Sequence, residues 1–407
     1  MPTGLSSTKL SEHHHNSPRW SAVFAMSLGA FVLVASEFMP VSLLTPLAAD
    51  LGVTEGQAGQ GIALSGAFAL VTSLFIASLA GRLDRKILLL LLTLLTVVSG
   101  ALVALASSYF MYMVGRALIG IAIGGFWSLS AATAMRLVPD EQVPRALAIV
   151  NGGNALAMVI AAPLGSFLGS IMGWRGAFFC IVPMAVIAFV WLLVSLPAMK
   201  PTGQSKANSV FRLLKRPPVA AGMLAVSLFF AGQFTLFTYL RPFLEMVTGV
   251  DASGLSLILL VMGLSGFAGT VLIGNFLTNG LYRLLTIIPL LMALIAVALV
   301  IMGSVVSVVT ALLTLWGLIA TAAPVAWWTW LAKTLPDDAE AGGGLMVAVV
   351  QLAIAFGATA GGLMFDLIGY RATFELSAFL LIAAALLAVL VARVVTRESR
   401  GEVCISG

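Results

Sequence analysis

The chain has 407 residues, of which 60% are hydrophobic and 9% charged, with a net charge of +5 and a mean hydropathy of +1.09. Soluble domains carry roughly 25% charged residues, so this composition excludes a water-soluble globular protein. The apolar runs are continuous and about 20 residues long, as membrane-spanning helices are, and they lack the alternation of a β-barrel strand.

In chain order, the apolar runs between charged or Gly/Pro-rich breaks predict twelve transmembrane helices. The first run is too long for the core of a signal peptide, and no small-residue cleavage site follows it. We therefore expect an all-α polytopic membrane protein. Its spans lie near residues 20–46, 57–80, 87–107, 110–135, 146–169, 176–196, 219–244, 253–275, 284–303, 307–332, 343–365 and 373–393.

Lysine and arginine predict the orientation, because they accumulate on the cytoplasmic side of a membrane protein. An even number of spans leaves both termini on one side. That side collects every one of the 21 lysines and arginines except Arg116, Arg175, Arg241 and Arg371. The tails 1–19 and 394–407 are therefore expected in the cytoplasm. The positive net charge is a topology signal, and no nucleic-acid partner is expected.

A polar segment at 197–218, "PAMKPTGQSKANSVFRLLKRPP", divides the chain into six-helix bundles at 20–196 and 219–393. The segment is either a solvated basic linker or ends in a short amphipathic helix on the anionic leaflet. The two halves resemble each other: "RLVPDEQVPRALAIVNGGNALAM" parallels "KTLPDDAEAGGGLMVAVVQLAIAF", and "GWRGAFF" parallels "GYRATFE". Such repeats indicate a transporter with a central site between two pseudo-symmetric bundles.

Two charged residues, Glu37 and Arg116, lie well inside predicted spans 1 and 4. Each costs at least about 2.5–3.5 kcal/mol at mid-bilayer, so each is a functional candidate. At about 1.5 Å per residue they lie at comparable depths. Because no predicted span contains histidine, Glu37 is the candidate proton carrier and Arg116 its partner. The alternatives are a static pair that fixes helix packing, or a Glu37 that caps backbone loosened by Pro40.

Amide and aromatic side chains in the spans are candidates for a substrate cavity. Amides can form paired hydrogen bonds with a polar substrate, and aromatic rings can stack on a planar one. The alternatives are amide hydrogen bonds between helices and lipid-facing aromatic side chains. The candidates are Asn151, Asn154, Gln233, Gln351, Phe126, Trp127, Tyr239 and Trp327.

Enzymatic chemistry is not expected. The predicted spans lack histidine for a metal site or a catalytic dyad, and the chain has no phosphate-binding loop motif. The run His13–His15 lies in the N-terminal tail, where such a run is more often an unstructured polar stretch than a metal site. Cys180 and Cys404 are far apart and predict no disulfide. We expect no metal and no cofactor.

Several motifs resemble those of the major facilitator superfamily. "GRLDRK" between spans 2 and 3 resembles its Gly-x-x-x-Asp-Arg-x-x-Arg-Lys loop, although Asp84 comes one residue early. "RALIGIAIGG" matches its Arg-x-x-x-Gly-x-x-x-Gly pattern from Arg116 to Gly124. "AAPLGSFLG" resembles its antiporter motif, with Ala162 in place of the usual glycine. "EFMPVSLLTPLAADLG" resembles the first-span motif of the drug:proton antiporter branch.

At a finer level, the chain resembles bacterial purine ribonucleoside efflux permeases in "PRWSAVF", "GGFWSLSAATAMRLVP", "FRLLKRPPVAAGM" and "FAGQFTLFTYLRP". The resemblance implies a monomer of the bacterial inner membrane that exports purine ribonucleosides, such as inosine and guanosine, against protons. It implies that spans 1, 4, 7 and 10 line the cavity and that Asp84 and Arg85 belong to a cytoplasmic gate. A sugar or multidrug efflux antiporter and an uncoupled nucleoside facilitator are the alternatives.

Overall fold

The computed structural model describes residues 18–79, 83–199, 212–335 and 339–405, and within these ranges the chain is helical and contains no strand. The helices of the N-terminal half are α1 (Trp20–Leu51), α2 (Glu55–Leu79), α3 (Arg85–Ala104), α4 (Tyr109–Leu137), α5 (Val143–Phe179) and α6 (Ile181–Ser195). Those of the C-terminal half are α7 (Pro217–Phe237), α8 (Ala252–Leu272), α9 (Gly274–Met302), α10 (Val306–Ala320 with Ala323–Thr334), α11 (Ala339–Leu367) and α12 (Tyr370–Ile405).

The described residues contain eleven helical segments that are long and apolar enough to cross a membrane, and one of them is the 51-residue stretch Arg145–Ser195. A straight helix of that length would measure about 77 Å, against a hydrocarbon core of about 30 Å. The stretch is broken at Gly173, whose φ of 75° and ψ of 167° are not helical. It therefore supplies two spans, and the prediction of twelve is confirmed.

Several helix ends differ from the prediction. α9 begins at Gly274, before the predicted start near 284, and α12 continues beyond 393 through Ile405, into the predicted tail. α7 is followed by a short helix, Leu240–Phe243, and a π turn, Leu244–Thr248. Polar or charged residues inside these extensions interrupted the apolar runs on which the prediction relied.

The segments at 1–17 and 200–211, which hold most of the predicted tail and linker, lie outside the described residues. The end of the predicted linker forms one helical turn, in which Lys215 and Arg216 donate backbone hydrogen bonds to Arg212 and Leu213. Leu213 is buried, so this turn packs onto the protein before α7 begins at Pro217.

The bundle has two ends, the Gly52 face and the Asp84 face. The Gly52 face holds the end of α1 and the start of α2, and the Asp84 face holds the start of α3. The two halves meet where α2 packs along α11 and α5 along α8. The largest buried cluster crosses this boundary, since it includes Phe38 of α1 and Phe234 of α7.

Candidate functional site: a buried carboxylate between the two halves

Pro40 shapes the backbone of α1 beside Glu37. In a regular helix the backbone N–H of residue 40 would donate to the Ser36 carbonyl. Proline has no N–H, so this hydrogen bond is missing. Arg116 supplies a substitute: its Nη1 donates to the Ser36 carbonyl at 2.7 Å, and its Nη2 donates to the Glu37 carbonyl at 3.1 Å. The guanidinium thus satisfies backbone that proline exposed.

Arg116 also binds α2. Its Nε donates to the Gly61 carbonyl at 3.1 Å, and its Nη2 donates to Ser65 Oγ at 3.1 Å. The side chain is 1% exposed, and a buried cation is stable only when its donors are satisfied. Arg116 therefore holds α1, α2 and α4 together within the N-terminal half.

The sequence predicted that Glu37 and Arg116 approach each other, and they do so through the Glu37 backbone. In the described part of the chain, the guanidinium is bound to carbonyl and hydroxyl oxygens and forms no ion pair with the Glu37 carboxylate. Of the structural alternatives, the arginine rather than the glutamate caps the backbone loosened by Pro40. The carboxylate remains available for another role.

The Glu37 carboxylate faces the C-terminal half. It is buried, at 4% exposure, and it interacts with the side-chain amide of Gln351 on α11. Glu37 Oε1 and Gln351 Oε1 are both buried without a hydrogen-bond partner in the described protein. Unpartnered buried polar atoms are costly, so a pair of them at one place is a feature of a binding site.

Phe38, the residue after Glu37, belongs to an aromatic cluster between α1 and α7. Phe38 stacks on Phe234 of α7, with ring centroids 5.6 Å apart, and meets Phe237 edge-on at 6.4 Å. Gln233 precedes Phe234, is 7% exposed, and also carries an Oε1 without a partner. The sequence prediction named Gln233 but missed the three phenylalanines. The position of Phe38 immediately after Glu37 was the available signal.

The other aromatic candidates are packed elsewhere. Phe126 is 1% exposed in the core of the N-terminal half, and Trp327 is 2% exposed between Phe229 and Trp330. Trp127 is only partly buried and packs against the core cluster of the N-terminal half and against the largest cluster, which contains residues of both halves. Of these three, Trp127 is the one that is not fully buried.

Tyr239 lies near the Gly52 face. It is fully buried, donates from its hydroxyl to the Ala358 carbonyl at 2.7 Å, and stacks on Phe365. Its hydroxyl also closely approaches Gly59 of α2. These contacts join the segment after α7 to α11 and α2, and they give Tyr239 a role in holding the halves together at that face.

The two asparagines of α5 are less buried than Gln351. Asn151 is exposed and donates to the Leu147 carbonyl of its own helix at 2.9 Å, and Asn154 is partly buried. Among the described residues, neither asparagine forms a hydrogen bond with Glu37, so their assignment to a substrate cavity stays a prediction.

Asp84 caps α3 and anchors it within the N-terminal half. Its Oδ1 accepts from the backbone N–H of Lys86 at 2.8 Å and of Met199 at 2.9 Å. Arg85 donates from its backbone to the Met199 carbonyl, while its buried Nη1 has no partner in the described protein. The predicted gate pair is thus engaged with the end of α6, and its gating role stays a prediction.

Comparison with known proteins gives the following matches. The model of the Major Facilitator Superfamily matches residues 26–358. The chain is 61% identical to the transcription regulatory protein OpdE of Pseudomonas aeruginosa over 386 residues, 94% of this chain and 96% of that protein. It is 42% identical to the purine ribonucleoside efflux pump NepI of Salmonella paratyphi C over 369 residues, 91% of this chain and 93% of the pump.

Solved structures share the fold at low sequence identity. A D-xylose-proton symporter superposes with a TM-score of 0.72 at 18% identity, covering 91% of this chain and 97% of the symporter. A bacterial homolog of the human lysosomal transporter Spinster, in an inward-facing and unoccupied conformation, gives 0.70 at 16% identity, with 92% and 95% covered. At these identities the likeness concerns the fold alone.

Proposed function

Because this chain belongs to the major facilitator superfamily, we propose that it is a proton-coupled antiporter that exports purine ribonucleosides from the bacterial cytoplasm by alternating access. The observation that carries the proposal is the buried Glu37 carboxylate at the boundary between the halves, next to Gln351. The similarity to the purine ribonucleoside efflux pump, which extends over nine-tenths of both chains, supports the substrate class.

Glu37 is suited to carry a proton because its hydrogen bonding with its surroundings depends on its charge. An ionised carboxylate only accepts hydrogen bonds, whereas a protonated one also donates. The Gln351 amide can form a hydrogen bond with either form. Its Nε2 can donate to the ionised carboxylate, and its Oε1, which has no protein partner, can accept from the protonated one. A proton taken up by Glu37 therefore rearranges a contact that joins the two halves.

A purine ribonucleoside offers N–H donors on its base and hydroxyls on its ribose, which match the unpartnered oxygens of Glu37, Gln351 and Gln233. Phe38, the residue after Glu37, and Phe234, the residue after Gln233, supply aromatic rings for the base. In this scheme substrate and proton compete for Glu37. Such competition couples export of one to import of the other and needs no metal or cofactor.

The regulatory name of the Pseudomonas relative raises DNA binding as another activity. We propose transport instead for this chain, because its described residues form apolar helices long enough to cross a membrane. A membrane protein of this kind can affect transcription by changing the cytoplasmic concentration of a transported molecule. The proposal places the chain in the inner membrane as a monomer, with both termini in the cytoplasm.

Inosine accumulation in inverted membrane vesicles tests the proposal. With an imposed inward-acidic gradient, we expect wild-type vesicles to accumulate radiolabelled inosine and to lose it when the gradient is collapsed. Glu37→Gln should abolish the gradient-driven part. Glu375→Gln is the matched control, because Glu375 is exposed on α12.

The possible outcomes separate the alternatives. Accumulation of a sugar or a cationic dye but not of inosine would refute the purine substrate, while the assignment as a proton-coupled exporter would stand. Inosine equilibration that ignores the gradient would indicate an uncoupled facilitator. Gradient-driven accumulation by Glu37→Gln would show that the proton travels by another route.

A further inference from the structure

The Gly52 face is closed by charged groups that reach from one half to the other. Asp366, at the end of α11, accepts from Thr54 Oγ1 at 2.5 Å and from the Gly56 N–H at 3.0 Å. Arg241, just after α7, donates from Nη1 to the Ser42 carbonyl of α1. Both contacts join the C-terminal half to the N-terminal half.

The Asp366 contact is directional. Thr54 caps α2, since its Oγ1 accepts from the Gln57 N–H at 3.0 Å, and its own N–H donates to Gln57 Oε1 at 3.0 Å. A hydroxyl has one proton to donate, and Thr54 donates it to Asp366. The carboxylate therefore serves as an acceptor for both partners, at a helix N-terminus that favours negative charge.

Space around Gly56 fits this contact. A Cβ added at Gly56 would collide with the Asp366 carboxylate and lie 2.6 Å from the Gly362 carbonyl. Only a residue without a side chain allows α11 to approach the start of α2 so closely. Thr359 Oγ1 donates to Gln60 Oε1 at 3.1 Å one turn further along the same interface.

The Arg241 contact depends on a second proline of α1. Pro46 has no N–H, so the Ser42 carbonyl lacks its helical donor. Arg241 takes that place, and its Nε and Nη2 bind Glu245 Oε1 at 2.8 and 2.7 Å. The arginine is 9% exposed, so the contact lies largely out of solvent, where a charge-assisted hydrogen bond is strong.

We propose that Asp366 and Arg241 form the latch of the gate at the Gly52 face, and that both contacts must break each time the gate opens. We define the latch as Asp366 with Thr54 and Gly56, together with Arg241 with Ser42. The inference rests on the proposed function, because only an alternating-access transporter must open this face. The lysine and arginine distribution assigns the face to the periplasm.

Distances between spin labels test the latch without substrate or gradient. Cysteines are introduced at Leu105 and Ile301, exposed positions of the two halves near the Gly52 face. A second pair at Leu83 and Leu214 reports on the Asp84 face. Cys180 and Cys404 are replaced by serine, and distance distributions are measured by pulsed electron spin resonance in lipid nanodiscs.

We expect Asp366→Asn and Arg241→Gln to lengthen the Leu105–Ile301 distance and to shorten the Leu83–Leu214 distance. Asparagine offers one acceptor oxygen for two donors, and glutamine cannot keep both the Ser42 and Glu245 contacts. Loss of a charge-assisted hydrogen bond should raise the ratio of open to closed forms about ten-fold.

Matched controls are available at both positions. Asp251 also caps a helix, accepting from the Gly254 N–H at 2.9 Å, but within its own half. Arg175 binds Asp50 and the Ala106 carbonyl, all in the N-terminal half. Asp251→Asn and Arg175→Gln should therefore leave both distances unchanged.

Distances equal to those of the wild type in folded Asp366→Asn and Arg241→Gln proteins would overturn the latch. Should either variant lose its monodisperse gel-filtration peak, Thr54→Val and Arg241→Lys carry the same test with smaller changes. Inosine accumulation by the wild type and by the same variants separates the two proposals. Unchanged distances in the variants with intact export would refute the latch alone, whereas altered distances in the variants and no inosine export by the wild type would refute the substrate alone.

Discussion

The carbonyl oxygen of Ser36 accepts a 2.7 Å hydrogen bond from Nη1 of Arg116, four residues before a proline that cannot supply the helical donor. The Ser42 carbonyl, four residues before Pro46, is bound by Arg241. One helix thus presents two proline-exposed carbonyls, each bound by an arginine. Arg116 belongs to the same half as α1, and Arg241 to the other half. We therefore infer a permanent contact at Ser36 and a reversible one at Ser42.

Arg116→Lys should destabilise the protein by about 3 kcal/mol, because a lysine ammonium cannot reproduce a planar fork that donates to four oxygens on two helices. Pro40→Ala returns an N–H to Ser36, so the loss should be about 1 kcal/mol smaller in that background. Unfolding in detergent micelles, arranged as a double-mutant cycle, measures both. Additive effects of Arg116→Lys and Pro40→Ala would contradict the idea that Arg116 replaces the backbone N–H that Pro40 lacks.

Gly173→Ala should destabilise the protein by about 1–3 kcal/mol, since a φ of 75° is strained for any residue with a Cβ. Gly152, in the same helix, has open space around an added Cβ and an ordinary helical φ. Gly152→Ala should therefore stabilise by up to about 1 kcal/mol. Thermal unfolding of both variants compares them, and equal changes would contradict a conformational role for Gly173.

The membrane class, the twelve spans and the family could be predicted from the sequence, because continuous apolar runs and charged breaks are local features. The direction in which a side chain points could not. A span such as that of Trp327 is apolar on every side, so its pattern does not distinguish a core-facing ring from a cavity-facing one. The structure buries Trp327 and Phe126 in the cores of the two halves.

Contacts between residues far apart in the chain also could not be predicted from the sequence. Glu37 and Arg116 were recognised by their charge, but the choice of backbone over carboxylate follows from the four-residue offset between Ser36 and Pro40. Asp366 lies near a predicted loop, where a carboxylate is unremarkable. Its importance depends on the start of α2, some 310 residues away along the chain.

Gly59→Ala should destabilise the closed Gly52 face, because the new methyl group would collide with the Tyr239 hydroxyl from the other half. A loss of about 1–3 kcal/mol is expected for such overpacking. Tyr239→Phe removes the colliding hydroxyl, so it should be less harmful in the Gly59→Ala background than alone, where it loses the bond to Ala358.

Gly280→Ala is the control for that experiment, because a Cβ at Gly280 meets no atom within 4 Å. Thermal unfolding of the single and double variants gives the coupling between Gly59 and Tyr239. Additive effects of the Gly59 and Tyr239 substitutions would mean that the methyl group at residue 59 does not collide with the Tyr239 hydroxyl.

Gln351→Met should raise the KM for inosine about ten-fold while lowering stability by only about 1 kcal/mol. Methionine keeps the length of the side chain but cannot bind Glu37 or a substrate N–H, and a site built from hydrogen-bonding groups discriminates through them. The loss of stability should stay near that of one hydrogen bond, because the Oε1 of Gln351 has no protein partner to lose and only the contact of the amide with Glu37 disappears. Leu352→Met is the control, since Leu352 is the next residue along α11 and is 51% exposed.

Concentration-dependent uptake into inverted vesicles and thermal unfolding together distinguish a substrate-binding role of Gln351 from a packing role. Normal uptake with lost stability would make Gln351 a packing residue, and the unpartnered oxygens beside Glu37 would then have no part in substrate binding.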